Sequence, residues 1–184
     1  MRLDTYDCGT YVRGRSKFVE AIWLVVQALL VSSRIPGSAH RRCILRLFGS
    51  DIGKGVKIKP GVRIKFPWRL TVGDHSWLGE DVWIDNLAAV SIGAHCCISQ
   101  GAYLCTGSHD WTKPDFDLIT RPIHVADRSW IAARSVVGPG VIVGEGSVLS
   151  LGGVATKDLA PWMIYAGTPS TMVKTRSVPA QRGS

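Results

Sequence analysis

Residues 52–63 read IGKGVK-IKPGVR, and the same six-residue cadence returns as VGDHSW-LGEDVW (72–83) and IGAHCC-ISQGAY-LCTGSH (92–109). After one break it resumes as VADRSW-IAARSV-VGPGVI-VGEGSV-LSLGGV-ATKDLA (125–160). Each unit opens on an aliphatic residue, often followed by Gly or Ala. Its fifth residue is small or β-branched: Val56, Val62, Ser76, Val82, Cys96, Ala102, Ser129, Ser135, Val141 and Ser147. A period of six cannot hold the 3.6-residue phase of a helix, but it keeps the two-residue alternation of a strand. Short strands joined by bends satisfy it. The opening aliphatic and the small fifth residue point inward, and Gly and polar residues take the corners. One unit cannot bury its apolar face alone, so coils must stack. The expected fold is mainly β, a parallel β-solenoid.

Outward from the repeats, the 184 residues divide into an N-terminal helical extension (1–50), the solenoid (51–166, with a loop at 109–124) and a tail (167–184). The net charge of +8 is lopsided: residues 1–70 carry fourteen Lys/Arg against four Asp/Glu. Such a basic half suits anionic lipid or an anionic sugar carrier, and no nucleic-acid motif accompanies it. The five cysteines form neither a disulfide framework nor a metal spacing, which points to a reducing compartment, the cytoplasm.

Residues 1–15 read as polar and loose. The run from Phe18 to Val31 is nearly all apolar but too short for a membrane span. A helix packing on the solenoid end, or lying peripherally at the inner face of a membrane, fits it. Ile35-Pro36-Gly37 breaks it. Ser38 then caps a second helix through Phe48, expected to carry Arg41, Arg42 and Arg46 on a basic face with Ile44, Leu45 and Leu47 inward.

The rhythm fails once, after Thr106-Gly107-Ser108-His109, where fourteen residues intervene before it returns near Val125. Loops inserted at a solenoid corner are frequently functional. A neutral imidazole rooted on a rigid coil is suited to taking a proton from a hydroxyl near neutral pH. His75 and His95 fall at turn positions of regular repeats, His40 in the second helix and His124 at the loop return.

The repeats resemble those of the hexapeptide-repeat acyltransferases, and the loop block resembles the galactoside, maltose and colanic acid biosynthesis acetyltransferases. The resemblance implies a left-handed parallel β-helix, a homotrimer and transfer of acetyl from acetyl-CoA to a sugar hydroxyl in bacterial exopolysaccharide assembly. It implies His109 as general base and Asn86 as an acceptor contact, with Asp85 as an alternative. It further places Ala133, Gly152, Gly153, Thr156, Lys157, Lys174 and Arg176 along the CoA path. A sugar or lipid-linked saccharide is the implied acceptor, and no metal is expected. Three rival readings stay open: a non-catalytic scaffold or partner-binding module, an N-acetyltransferase of an amino sugar, and a zinc-dependent γ-carbonic anhydrase using His75, His95 and His109.

Overall fold

The computed structural model describes residues 3–6, 9 and 11–177. Cys8 and the end of the tail, 178–184, lie outside the described residues. The repeats wind into a left-handed parallel β-helix of about six turns. Its first face stacks Asp51–Ile52, Leu70–Val72, Val90–Ile92, Ile123–Val125 and Ile142–Val143. The second stacks Lys57–Ile58, Trp77–Leu78, Cys97–Ile98, Trp130–Ile131 and Val148–Leu149, extended by a hairpin of Met163–Ala166 and Thr171–Thr175. The third stacks Arg63–Ile64, Trp83–Asp85, Tyr103–Cys105, Val136–Val137 and Val154–Ala155. The pairings between successive coils are parallel and in register, for example Trp77 beside Cys97 and Cys97 beside Trp130.

The six-residue rule explains the core. All the fifth positions named above are at most 1% exposed, as tight corners require. The opening aliphatics Ile58, Ile64, Leu78, Ile84, Ile98 and Leu104 fill the prism. Where the fifth residue is Ser, its hydroxyl can tie one coil to the next: Ser76 Oγ donates to Gly93 O (2.6 Å) and Ser135 Oγ to Ser150 O (2.9 Å). His75 and His95 hold left-handed turns (φ 59° and 57°) and stack at 5.4 Å.

The N-terminal helices close the open bottom of the prism. Helix α1 (Lys17–Val26) is capped by Ser16 and continues as a π-helical turn through Val31. Helix α2 covers Ala39–Leu47. The lowest coil has no neighbour beneath it, so its outward-facing peptide groups need other partners. Side chains supply them. Trp23 Nε1 donates to Ile64 O (2.8 Å), and Gln27 Oε1 accepts from Ile64 N. Ser38 Oγ serves both Ile58 O and Ile58 N, and Arg46 reaches Ile52 O. The apolar run is thus a structural cap on its inner side.

Three expectations need correction. Arg41 does not join Arg42 and Arg46 on a basic face of helix α2: it is fully buried and donates to the carbonyls of Val31, Ser33, Ile35 and Gly37, which the broken linker leaves without helical partners. Leu47, expected inward, is 83% exposed, while Leu45 is buried. The stretch 11–15 is not loose either. Tyr11 Oη donates to Leu87 O (2.8 Å), and Trp68 Nε1 donates to Arg13 O (2.9 Å), so this stretch is laid along the prism.

Candidate active site

The interruption of the repeats falls where the third face turns into the first. It is an antiparallel hairpin, Gly107–His109 with Leu118–Thr120, in which His109 pairs with Leu118. Gly107 permits it to leave the coil closely, since a Cβ there would meet Leu87 Cδ1 at 2.7 Å. Coil by coil, this same edge carries Lys65 and Phe66, then Asn86 and Leu87, then the hairpin, then Pro139, then Thr156 and Lys157.

His109 is half-buried. Its Nδ1 lies 2.8 Å from Phe116 O, and its ring stacks parallel on the Phe116 ring at 4.2 Å. A carbonyl can only accept, so the neutral imidazole carries its proton on Nδ1 and leaves a lone pair on Nε2. Tyr6 makes an edge contact with the imidazole at 5.6 Å. Two cavities meet at this residue. One, of about 400 Å³, is walled by Tyr11, Glu20, Trp23, Lys65, Phe66 and His109, among others. The other, of about 210 Å³, runs from Ser108 and His109 past Arg121 to Pro139. Among the described residues, His109 is the one side chain lining both. Pro139 sits one coil below Thr156, because Gly138 N bonds Ala155 O (2.9 Å).

Charges in the larger cavity are paired. Arg13 Nη1 meets Glu20 Oε2 at 3.0 Å, and Lys65 Nζ lies 3.2 Å from Asp85 Oδ1. Asp85 Oδ2 also accepts from Tyr103 Oη (3.2 Å). Burial first, then Cys105 and Asp85, push the Tyr103 phenol far above its ordinary pKa, so it remains a donor. Burial likewise raises Tyr11 despite the Arg69 guanidinium beside it.

The residues singled out in the sequence fall in different places. Asn86 is fully buried inside the edge, and both ends of its amide are engaged. Oδ1 accepts from Phe66 N (2.9 Å) and Nδ2 donates to Phe66 O (2.7 Å). It faces the coil below and lines neither cavity. Asp85, one residue earlier, is the outward-facing member of the pair. Thr156 and Lys157 are exposed on the His109 edge. Ala133, Gly152 and Gly153 lie on another edge, between the second and third faces. Gly152 is open there, with nothing within 4 Å of a built Cβ, while Gly153 packs against Leu149. Arg176 is at the remaining edge, where its Nη1 donates to Arg128 O and Gly146 O. Lys174 is exposed on the terminal hairpin strand. A single chain therefore does not unite these groups. His75 and His95 lie at the edge between the first and second faces, away from the hairpin, so the three histidines of the carbonic anhydrase reading do not converge. No metal-binding group is present among the described residues.

Sequence reading missed the contribution of Tyr6, Tyr11, Arg13, Glu20 and Lys65 to the cavity. The available signal was the aromatic and charged content of a segment outside the repeats.

A left-handed hexapeptide prism with a histidine-bearing hairpin at one edge defines a class, and the comparisons agree: the chain belongs to the hexapeptide-repeat acetyltransferases. It is 39% identical over 165 residues, 89% of this chain and 91% of the relative, to WcaF of Escherichia coli K12, whose name ascribes it to colanic acid biosynthesis. It is 24% identical over 137 residues to the galactoside O-acetyltransferase of Escherichia coli K12, covering 73% of this chain and 68% of that one. Among solved structures, a hexapeptide-repeat acetyltransferase of Vibrio cholerae complexed with acetyl-CoA superposes with a TM-score of 0.82 at 22% identity, over 94% of this chain and 93% of the other. A galactoside acetyltransferase in complex with coenzyme A gives 0.79 at 19% identity, over 87% and 82%. No family model matches the chain.

Proposed function

We propose that this protein transfers acetyl from acetyl-CoA to a hydroxyl of a saccharide in bacterial exopolysaccharide assembly, with His109 Nε2 as the general base. The observation that carries the reading is the Nδ1–H bond to Phe116 O at the junction of two cavities. That bond fixes the tautomer a base needs. Nε2 takes the proton of the acceptor hydroxyl as its oxygen attacks the thioester carbonyl. The carbon–sulfur bond then breaks and CoA leaves as the thiol after protonation. The larger cavity is the acceptor side. The smaller groove, leading toward Thr156 and Lys157, is the donor side. The relatives whose names specify acetyl transfer, and the structures bound to CoA or acetyl-CoA, support the choice of donor.

The candidate donor residues Ala133, Gly152 and Gly153 lie an edge away from His109, and two copies packed side by side would bring these edges together. We infer a homotrimer on this ground, as the resemblance implies. Arg176 would have to release its backbone carbonyls to meet a phosphate, so Lys157 and Lys174 are the better phosphate contacts. A scaffold has no need of a fixed tautomer at a cavity junction, which disfavours the non-catalytic reading. An amine acceptor is served by the same base, and only an acceptor panel separates O- from N-transfer.

The test is release of free CoA thiol from acetyl-CoA against nucleotide- and lipid-linked sugars, with the product linkage identified. His109→Asn should lower kcat by roughly 10²–10⁴-fold, the usual worth of a positioned base. Near-normal kcat in that variant with the true acceptor would refute the assignment. Sedimentation showing an active monomer would refute the shared site.

A further inference from the structure

We propose that the outer face of α1 is a docking surface for an anionic lipid bilayer. The helix has two faces with separate employment. Trp23, Gln27 and Val31 are turned to the coil, where they cap Ile64 or join the core. Phe18 (75% exposed), Ile22 (40%), Val25 (59%) and Leu29 (67%) recur on the opposite face, and no described residue buries them. Their spacing of four, three and four residues is that of one helical stripe. Ala21 and Ala28, also exposed, fill the gaps, so the stripe holds no polar side chain. The cap does not require this face to be apolar, and leaving it in water has a cost that only a further contact relieves.

Charge selects the occupant. Exposed Arg15 and Lys17 stand at one end of the stripe and exposed Arg34 just past the other. From residue 14 to residue 50 the only acidic residue is Glu20, which is on the inner side and paired with Arg13. Apolar side chains bordered by cations of one sign match the acyl boundary and anionic headgroups of a membrane surface. A two-fold contact between copies of this face would instead gather like charges. No helix among the described residues is long and apolar enough to cross a membrane, so the geometry is that of a helix lying in the interface plane. Leu24, 62% exposed, borders the stripe and also lines the large cavity at His109. Docking therefore sets the mouth of that cavity beside the lipid. The surface is independent of the acetyl-transfer reading, and binding is read without turnover.

The experiment is co-sedimentation of the full chain with vesicles of phosphatidylcholine alone and with about 30% phosphatidylglycerol, at low and high salt, chosen to give an anionic surface of the kind basic segments recognise. The anionic vesicles should bind the protein and high salt should weaken the binding. Lys17→Gln should lower partitioning about fivefold, the share of one basic charge near such a surface. Val25→Glu combined with Leu29→Glu should lower it more than about tenfold while leaving the melting temperature and oligomeric mass unchanged, because both side chains face outward. Equal binding to neutral and anionic vesicles, or full binding by the double variant, overturns the proposal. So does loss of the oligomer in the double variant without vesicle binding by the parent, which would assign the face to a second copy.

Discussion

Replacing Asn86 by Ala separates a structural role from an acceptor-binding one. In the folded chain its amide spans the edge between two coils and holds both peptide groups of Phe66. Alanine is too short to reach either, and the side chain it replaces is 0% exposed. Two buried backbone groups would lose their partners, each at a cost of about 1–3 kcal/mol, so the fold should lose about 2–6 kcal/mol. For a chain of this size each kcal/mol corresponds to about 2–4 °C of melting temperature. A drop of at least about 4 °C is therefore expected by calorimetry or circular dichroism. Asn86→Asp should be no better, because it keeps an acceptor for Phe66 N–H but turns a carboxylate oxygen toward Phe66 O. Below the transition, acceptor KM should change less than stability does. An unchanged melting temperature with a rise in acceptor KM of about tenfold, the mark of a lost binding contact, would refute the buried-clip account and restore Asn86 to the acceptor site.

Arg41→Met should destabilise by several kcal/mol, since four carbonyls of the linker lose charge-assisted bonds, and a linker released to protease digestion would report it. Trp23→Phe should cost about 1–3 kcal/mol by orphaning Ile64 O, seen as a lower denaturation midpoint. Burial pushes the Cys96 thiol up to about 11 from an ordinary 9, so near neutral pH a thiol reagent should label exposed Cys43 and leave Cys96 untouched until the protein unfolds. Because that folded-state pKa is raised, the stability linked to Cys96 is complete below its ordinary 9 and disappears as the pH rises to about 11. A Cys96→Ser variant should flatten that alkaline slope in denaturation curves taken between the two values.

The solenoid was legible because its period is written in side-chain size: a Val, Ser, Ala or Cys at each fifth position admits only a tight corner. The place of the hairpin that carries His109 was legible for a related reason, since it begins where a strict rhythm stops. Arg41 was not, because its sequence neighbours Arg42 and Arg46 make a basic helix face look solvated, and only the linker's unpaired carbonyls draw it inward. The clip that Asn86 makes on Phe66 was not legible, because alternation along a short strand says which side chains point in only until the corner begins, and Asn86 is the corner. The cavity's N-terminal wall was illegible because Tyr11 reaches Leu87 across 76 residues, a contact with no local signature.

The side-chain closure at the bottom of the prism also sets a boundary on growth. Stacked identical coils have no inherent reason to stop, and a bare lower rim would accept the upper rim of another molecule, giving head-to-tail fibres. Here the rim is occupied by Trp23, Gln27, Ser38 and Arg46, each matched to the peptide groups of one particular coil. The same matching acts as a zero mark for winding. A chain that began its first turn one hexapeptide late would present a different face to each of these side chains, so the helices define which residue starts the count.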